Sequence, residues 1–351
     1  MVMDSVNRWL DRVDPGVHKR VKGLRLVTAY GIAALAGSLY DSTHPLPDGV
    51  WLGFLAGGFA LWASLSEGRT TRAESSRDLA LLVASATLGA ALTASLTPWL
   101  LQSGHAVPEI TLVVGAFLVG FLKRFGVLGA GIGSQVFIGQ LLAYALGLKT
   151  ADIPLVLAAG LIAAVAAIIP RILSGPAEKP VLAPPAPAVV TFAGLEPEFV
   201  MGLQAAAAAL AIVGLTAAFG LAQSAWAIAA CTYVVTNTAA GTVARIRMRV
   251  IGTALGLPLG LACLPLAEHA PLLVWAAAAL AMVIYSMALP LRSDIACCAY
   301  TFTLIVTLAA NGEHSMGFLI ARFWETLVGG AVGLGAALWI FPLRERPTPA
   351  G

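Results

Sequence analysis

The chain has 351 residues, of which 59% are hydrophobic and only 11% are charged, and its mean hydropathy is +0.86. This balance excludes an ordinary water-soluble globular protein, because too few charged side chains remain to cover a fold of this size. The net charge is +3, and the basic residues are spread over several segments and form no single stripe, so the sequence does not support nucleic-acid binding. The composition therefore predicts a partner of another kind, the lipid bilayer.

Residues 1–23 carry acidic and basic side chains throughout and lack a short apolar core followed by a small-residue cleavage site. No cleaved signal peptide is therefore predicted, and we expect the first apolar span to direct insertion. Val6, Trp9, Leu10 and Val13 recur at helical spacing, which predicts either an amphipathic helix on the cytoplasmic membrane face or a polar tail.

About twelve apolar stretches follow, each long enough to cross a hydrocarbon core about 30 Å thick. They predict an all-α polytopic membrane protein of two parallel six-helix halves. The first half, residues 24–173, has spans at about 24–42, 50–66, 79–101, 107–122, 125–147 and 152–173. The second half, residues 200–341, has spans at about 200–222, 225–243, 250–267, 271–290, 294–310 and 317–341.

Residues 174–199 separate the halves and are rich in proline and alanine, which favours an extended linker over a packed domain. Residues 342–351 form a short tail. Positively charged loops stay on the cytoplasmic side during insertion, and here every second loop is basic. Of the 21 Lys and Arg residues, 19 fall on one side, and Lys149 and Arg322 fall on the other. Both termini and the linker are therefore predicted to be cytoplasmic.

An internal repeat relates the two halves. Trp51 corresponds to Trp226, and Arg77 corresponds to Arg249, at similar displacements along the chain. Because each half has an even number of spans, the two repeats have the same orientation in the membrane and are related by an axis along the membrane normal. A central transport path would then lie at the interface between the halves.

The sharpest motif reads R-x-x-[G/E]-T-x-x-G and occurs twice. The first copy opens the ninth span and contains Arg249, Gly252, Thr253 and Gly256, with Gly260 one step further. The second copy opens the twelfth span and contains Arg322, Glu325, Thr326 and Gly329. Small residues at this spacing let two helix backbones approach closely, so the motif predicts helix packing.

The Trp226 span, the basic segment through Arg249 and the two motif copies resemble the fusaric acid resistance protein-like family of bacterial inner-membrane exporters. The resemblance is clearest over residues 200–341 and looser over 24–173. It implies export of aromatic or other small organic acids across a bacterial inner membrane, with a periplasmic adaptor protein as partner. Longer members carry a large cytoplasmic domain between their halves, and the role of that domain does not transfer to this chain.

Glu325 is the one acidic residue well inside a predicted span, where an ionisable group costs several kcal/mol unless it is paired or hydrated. Arg322 lies three residues earlier and reaches the same helix face. Two interpretations stay open. Either Arg322 attracts an anionic substrate while Glu325 exchanges a proton, or the two side chains neutralise each other and fix the helix.

Four further polar residues are candidates for substrate contact. Lys123 and Arg124 lie in a tight connection between the fourth and fifth spans, where they either gather organic anions or anchor the topology. Gln135 and Asn237 lie inside spans, where they either line a cavity or form hydrogen bonds between helices.

No span carries the side chains of a metal site or a nucleophile, and a phosphate-binding loop is absent, so we predict no enzyme activity, cofactor or metal. We predict a secondary transporter that exports small organic anions, in particular aromatic carboxylic acids, driven by the proton gradient. It would assemble as a homodimer or with the adaptor. The alternatives are a passive organic-anion channel, as related plant malate channels imply, and a membrane scaffold without a transport path.

Overall fold

The structure is a computed structural model and describes residues 14, 17–43, 52–68, 71–102, 108–174, 189–190, 195–221, 224–236, 238–289, 291–310 and 316–345. The first half contains α1 (His18–Thr43), α2 (Leu52–Ser66), α3 (Arg72–Gln102), α4 (Thr111–Phe121), α5 (Gly126–Ala145) and α6 (Ile153–Leu173). The second contains α7 (Pro197–Phe219), α8 (Ser224–Val234), α9 (Ala239–Ala262), α10 (Leu264–His269), α11 (Pro271–Ala288), α12 (Ser293–Ala310) and α13 (Met316–Trp339). Short 3-10 turns at Pro108–Ile110, Leu122–Phe125 and Thr150–Asp152 precede α4, α5 and α6. Two short strands, β1 (Val189–Val190) and β2 (Arg344–Glu345), pair antiparallel.

Five helical segments of the described chain are long and apolar enough to cross a membrane. They are Arg72–Leu101, Pro108–Ala145, Thr150–Leu173, Pro197–Phe219 and Pro271–Ala288. Shorter apolar helices lie at Leu52–Ser66, Ser224–Val234, Ser293–Thr307 and Phe323–Trp339. The protein is therefore a helical, multi-pass membrane protein, and the count of twelve spans stays a prediction.

The segment Pro108–Ala145 is a hairpin of two helices. Its 38 residues would extend about 57 Å as one helix, nearly twice the hydrocarbon thickness. Instead α4 packs against α5, and the chain reverses at Gly126, whose φ of 74° is readily adopted only by glycine.

Helix packing follows a similar pattern in each half. In the first half α1 packs on α2, α3 packs on α5 and α6, and α4 packs on α5. In the second half α7 packs on α8, α9 packs on α12 and α13, and α11 packs on α12. The halves meet mainly through two helix pairs, α4 with α7 and α1 with α11.

Side-chain hydrogen bonds show which helix ends lie together. Lys22 of α1 donates to the carbonyl oxygen of Glu67, just after α2, at 2.6 Å. Arg171 of α6 donates to Ser75 of α3 at 2.7 Å. Further hydrogen bonds at this end join Gln204 to Ile340, Arg245 to Tyr233 and Ser293 to Met248. We call this the basic end, because α1, α3, α5, α7, α9 and α12 begin here, and most of the described Lys and Arg residues lie in α1, α3 and α9 or just before α5 and α12.

The other end of the bundle, which we call the opposite end, is held by other contacts. The carboxylate of Asp41 in α1 accepts hydrogen bonds from the backbone N–H groups of Leu52 and Gly53, each at 3.1 Å. These bonds satisfy two donors that the first turn of a helix leaves without partners. They fix the end of α1 beside the start of α2.

Two predicted boundaries in the basic segments are wrong. The eighth span was expected to continue to residue 243, but α8 ends at Val234 and α9 begins at Ala239. The cause is local, because the Thr238 hydroxyl accepts a hydrogen bond from the backbone N–H of Gly241 at 3.0 Å and caps α9. Arg249 therefore lies inside a helix, whereas the sequence placed it at the end of a loop.

The first helix also begins earlier than expected, at His18 and not at residue 24. Asp14 accepts hydrogen bonds from the backbone N–H groups of Lys19 and Arg20 at 3.1 and 2.9 Å, which stabilises the first turn of α1. The amphipathic helix predicted before residue 14, and most of the linker, lie outside the described residues.

Candidate functional site

Three aromatic side chains from both halves pack together near the basic end, and Arg249 and Tyr233 lie within electrostatic range of one of them, Tyr285. We call Trp62, Tyr233, Arg249, Tyr285 and Tyr300 the inter-half cluster. The ring of Trp62 in α2 lies 5.6 Å from that of Tyr300 and 6.4 Å from that of Tyr285, both edge-on. The rings of Tyr285 in α11 and Tyr300 in α12 are 6.0 Å apart. These centroid distances are those of interacting aromatic pairs.

Arg249 supplies the positive charge of the cluster. Its guanidinium is close enough to act electrostatically on Tyr233 of α8 and Tyr285 of α11, and on the thiol of Cys297 in α12. Arg245 lies one turn earlier on α9 and donates to the carbonyl oxygen of Tyr233 at 3.4 Å. All five residues of the cluster are partly exposed.

Tyr233 connects the cluster to the first half. Its hydroxyl shares a hydrogen bond with Ser134 of α5 at 2.9 Å, and its ring lies 5.7 Å from that of Phe137. A change in the relative position of the halves would therefore alter the surroundings of Tyr233 as well as those of Trp62.

The glycines of the first motif position Arg249. Gly252, Gly256 and Gly260 face α12, where a methyl group at Gly252 would lie 2.5 Å from the carbonyl oxygen of Asp294. At Gly260 it would lie 2.8 Å from Ile305, and at Gly256 it would collide with the carbonyl oxygen of Cys298. The two helices pack this closely because these positions have no side chain. Thr253 is also buried.

The second motif lies in α13. Glu325 is 2% exposed, and its charge reaches the hydroxyl of Tyr144 in α5. A methyl group at Gly329 would collide with the carbonyl oxygen of Ala227, so α13 contacts α8 closely at this point. Thr326 is partly buried. Arg322 falls within α13, and its side chain lies outside the described part of the structure.

The tight connection between α4 and α5 reaches the second half. The guanidinium of Arg124 forms an ion pair with Glu196 at 2.7 Å and lies over the rings of Phe121 and Phe125 at 5.3 and 5.2 Å. Lys123 is within electrostatic range of Arg245. These two basic residues therefore lie beside charged residues of the second half.

Of the two predicted intramembrane amides, the structure describes Gln135. Gln135 is fully buried, and its Nε2 donates to the hydroxyl of Ser66 at 2.9 Å, which joins α5 to the end of α2. Asn237 lies outside the described residues.

A second charged region lies inside the first half. Lys22, Arg25, Ser64, Glu67 and Arg171 line a small pocket at the basic end. Arg25 and Arg171 are 8% and 2% exposed, although the sequence assigned them only a topological role. Burial lowers the pKa of Lys22, which lies just before the first predicted span. In the described ranges, no three His, Cys, Asp or Glu side chains are grouped as a metal site requires.

Sequence reasoning missed the aromatic part of the inter-half cluster. The tyrosines are near helix ends, where a membrane protein commonly places them, so their positions alone carry no signal. Trp62 and Tyr300 come together only through the packing of two halves, which one sequence does not reveal.

Comparison with known proteins places the second half in a family context. Curated proteins and solved structures gave no significant match. Residues 205–336 match the sequence profile of a family described as fusaric acid resistance protein-like. The matched segment contains α8, α9, α11 and α12, and so supplies Arg249 and all three tyrosines of the inter-half cluster. The second half of this multi-pass membrane protein therefore carries a fusaric acid resistance protein-like domain at residues 205–336.

Proposed function

We propose that the protein is a secondary transporter that exports small organic anions of the aromatic carboxylate class across a bacterial inner membrane. The observation that carries this proposal is the inter-half cluster, which combines one guanidinium with four aromatic rings. A planar guanidinium binds a carboxylate through two parallel hydrogen bonds, and aromatic rings stack on the ring of the same molecule. An aromatic carboxylate presents both groups together.

The location of the cluster is compatible with transport, because its residues come from both halves. Trp62 belongs to the first half and Arg249 to the second, so a ligand held between them experiences any movement of one half against the other. Alternating access requires that the ligand make different contacts in the two conformations of the transporter. Arg245 adds positive charge beside Tyr233 and would raise the local concentration of anions.

We further propose twelve spans in two parallel halves, with the basic end and both termini in the cytoplasm. The recurring packing supports this arrangement, since α1 and α7, and likewise α4 and α11, take equivalent partners within their halves. The two contacts between halves, α4 with α7 and α1 with α11, exchange under the same correspondence. An axis along the membrane normal produces such an exchange.

The proposed driving force is the proton gradient, and the proposed assembly is a homodimer or a complex with a periplasmic adaptor. Glu325 supports the first of these proposals, because it is a buried carboxylate in the matched domain. Acidic residues inside a membrane protein commonly mark the path of a proton or a substrate.

The test is uptake of a radiolabelled aromatic carboxylate into inverted membrane vesicles, with and without a proton gradient. We expect Arg249→Gln to abolish uptake, whereas Arg247→Gln should leave it near the native level. Arg247 is a matched control, since it lies on the same helix but is exposed on another face. Equal loss in both variants would contradict a binding role for Arg249, and equilibration without a gradient would indicate a channel.

A further inference from the structure

A buried carboxylate joins the two halves at the opposite end. Glu109 lies in the turn before α4, and only 5% of its surface is exposed. Its Oε1 accepts a hydrogen bond from the hydroxyl of Tyr144 at 2.6 Å and another from the hydroxyl of Ser224 at 2.8 Å. Tyr144 belongs to α5 of the first half, and Ser224 begins α8 of the second. One carboxylate oxygen therefore bridges the halves.

The second oxygen of Glu109 has a different environment. Oε2 is buried and makes no hydrogen bond within the part of the chain that the structure describes. A buried charged atom without a hydrogen bond is costly, and protonation removes that charge. Oε2 is also the position where a proton can add without displacing Tyr144 or Ser224.

A second buried carboxylate lies near the phenol that Glu109 binds. Glu325 of α13 is 2% exposed and acts electrostatically on Tyr144. The turn carrying Glu109 also packs on α3, α4 and α7. The charged residues of α3 and α7 lie at the starts of those helices, at the basic end, and α4 has none.

We propose that Glu109 binds the coupling proton and that its ionised form latches the two halves together at the opposite end. This inference rests on the proposed function. With Glu109 ionised, both hydrogen bonds are charge-assisted and about twice as strong as neutral ones. A proton from the opposite aqueous phase adds to Oε2 and makes Oε1 a neutral acceptor. The bridge then weakens, and the end at which the exported anion leaves can open.

The first test compares two transport modes in reconstituted vesicles that contain the full chain. Glu109→Gln keeps an acceptor for Tyr144 and Ser224 but takes up no proton. We expect it to lose gradient-driven accumulation and to retain exchange of labelled for unlabelled aromatic carboxylate. Ser224→Ala removes one hydrogen bond and keeps the carboxylate, so it should retain gradient-driven accumulation. The proposed role of Glu109 would be refuted if Glu109→Gln still showed gradient-driven accumulation. It would also be refuted if a folded Glu109→Gln protein lost both accumulation and exchange.

The second test needs no transport and therefore separates this inference from the proposed function. Infrared difference spectra of the purified protein on acidification should show a protonated carboxyl band that Glu109→Gln lacks. Tyr144→Phe removes a hydrogen-bond donor and should shift that band, which keeps the test decisive if Glu109→Gln fails to fold. An identical band in all three proteins would refute proton binding at Glu109. No uptake by the native chain, with the band present, would refute only the choice of substrate or function.

Discussion

The contact between α9 and α12 offers a sharp test of the packing on which the inter-half cluster depends. In Gly256→Ala, the new methyl group would collide with the carbonyl oxygen of Cys298 and lie 2.9 Å from Cβ of Thr301. Carbon atoms pack favourably at about 3.5–4.0 Å, so α9 and α12 must separate by about 1 Å. Overpacking of this kind costs about 1–3 kcal/mol.

Alanine also has a higher helix propensity than glycine, by about 1 kcal/mol, and this gain must be subtracted. Gly214→Ala supplies the control, because Gly214 lies inside α7 and a methyl group there meets no atom within 4 Å. The two variants have the same change in propensity. The difference between their free energies of unfolding is therefore the packing cost at Gly256, about 1–3 kcal/mol.

The assay is thermal unfolding of the purified proteins in detergent. One kcal/mol corresponds to about 2–4 °C in chains of 150–250 residues, so Gly256→Ala should melt several degrees below Gly214→Ala. Uptake of the aromatic carboxylate should fall in parallel, because Arg249 lies two turns from Gly256 on the same helix. Equal melting temperatures, or a higher one for Gly256→Ala, would refute the close approach of α9 and α12.

Three further substitutions test other contacts. Gln204→Leu removes the hydrogen bond to the carbonyl oxygen of Ile340, 2.9 Å long, and should destabilise the protein to thermal unfolding by about 1–3 kcal/mol; an unchanged melting temperature would contradict this. Arg171→Met should lower the melting temperature more than Arg72→Met, because Arg171 is 2% exposed and Arg72 is at the surface; equal effects would count against a structural role for the buried charge. Trp62→Ala should raise the half-saturating concentration for an aromatic carboxylate but not for an aliphatic one of equal charge, and a uniform effect would argue against ring recognition.

The helical membrane fold could be predicted from the sequence, because long apolar stretches have few alternatives in lipid. The glycine stripe of α9 could be predicted for a similar reason, since its spacing is local and its physical role is general. The start of α9 also had a local signal in Thr238, a good capping residue, but the nearby arginines suggested a loop.

The hydrogen bonds of Glu109 to Tyr144 and Ser224 at the opposite end could not be predicted from local sequence patterns. Glu109 and Ser224 are 115 positions apart in the chain and are hydrogen-bonded only because the two halves pack together. Glu109 is near the edge of a predicted span, where an acidic residue is normally solvated. Its burial depends on Tyr144 and on the start of α8, and neither carries a local pattern that points to a carboxylate.

The errors in the basic segments have a common physical cause. The preference of Lys and Arg for one side of the membrane fixes the end of the bundle at which they lie, but it does not separate loops from buried helix ends. Arg249 can therefore serve insertion and ligand binding together, and removal of its charge alone would disturb both. Arg249→Lys keeps the charge for insertion and loses the planar pair of donors that holds a carboxylate. If that variant inserts normally but binds the aromatic carboxylate weakly, recognition depends on the guanidinium itself, whereas native binding would reduce Arg249 to a topological charge.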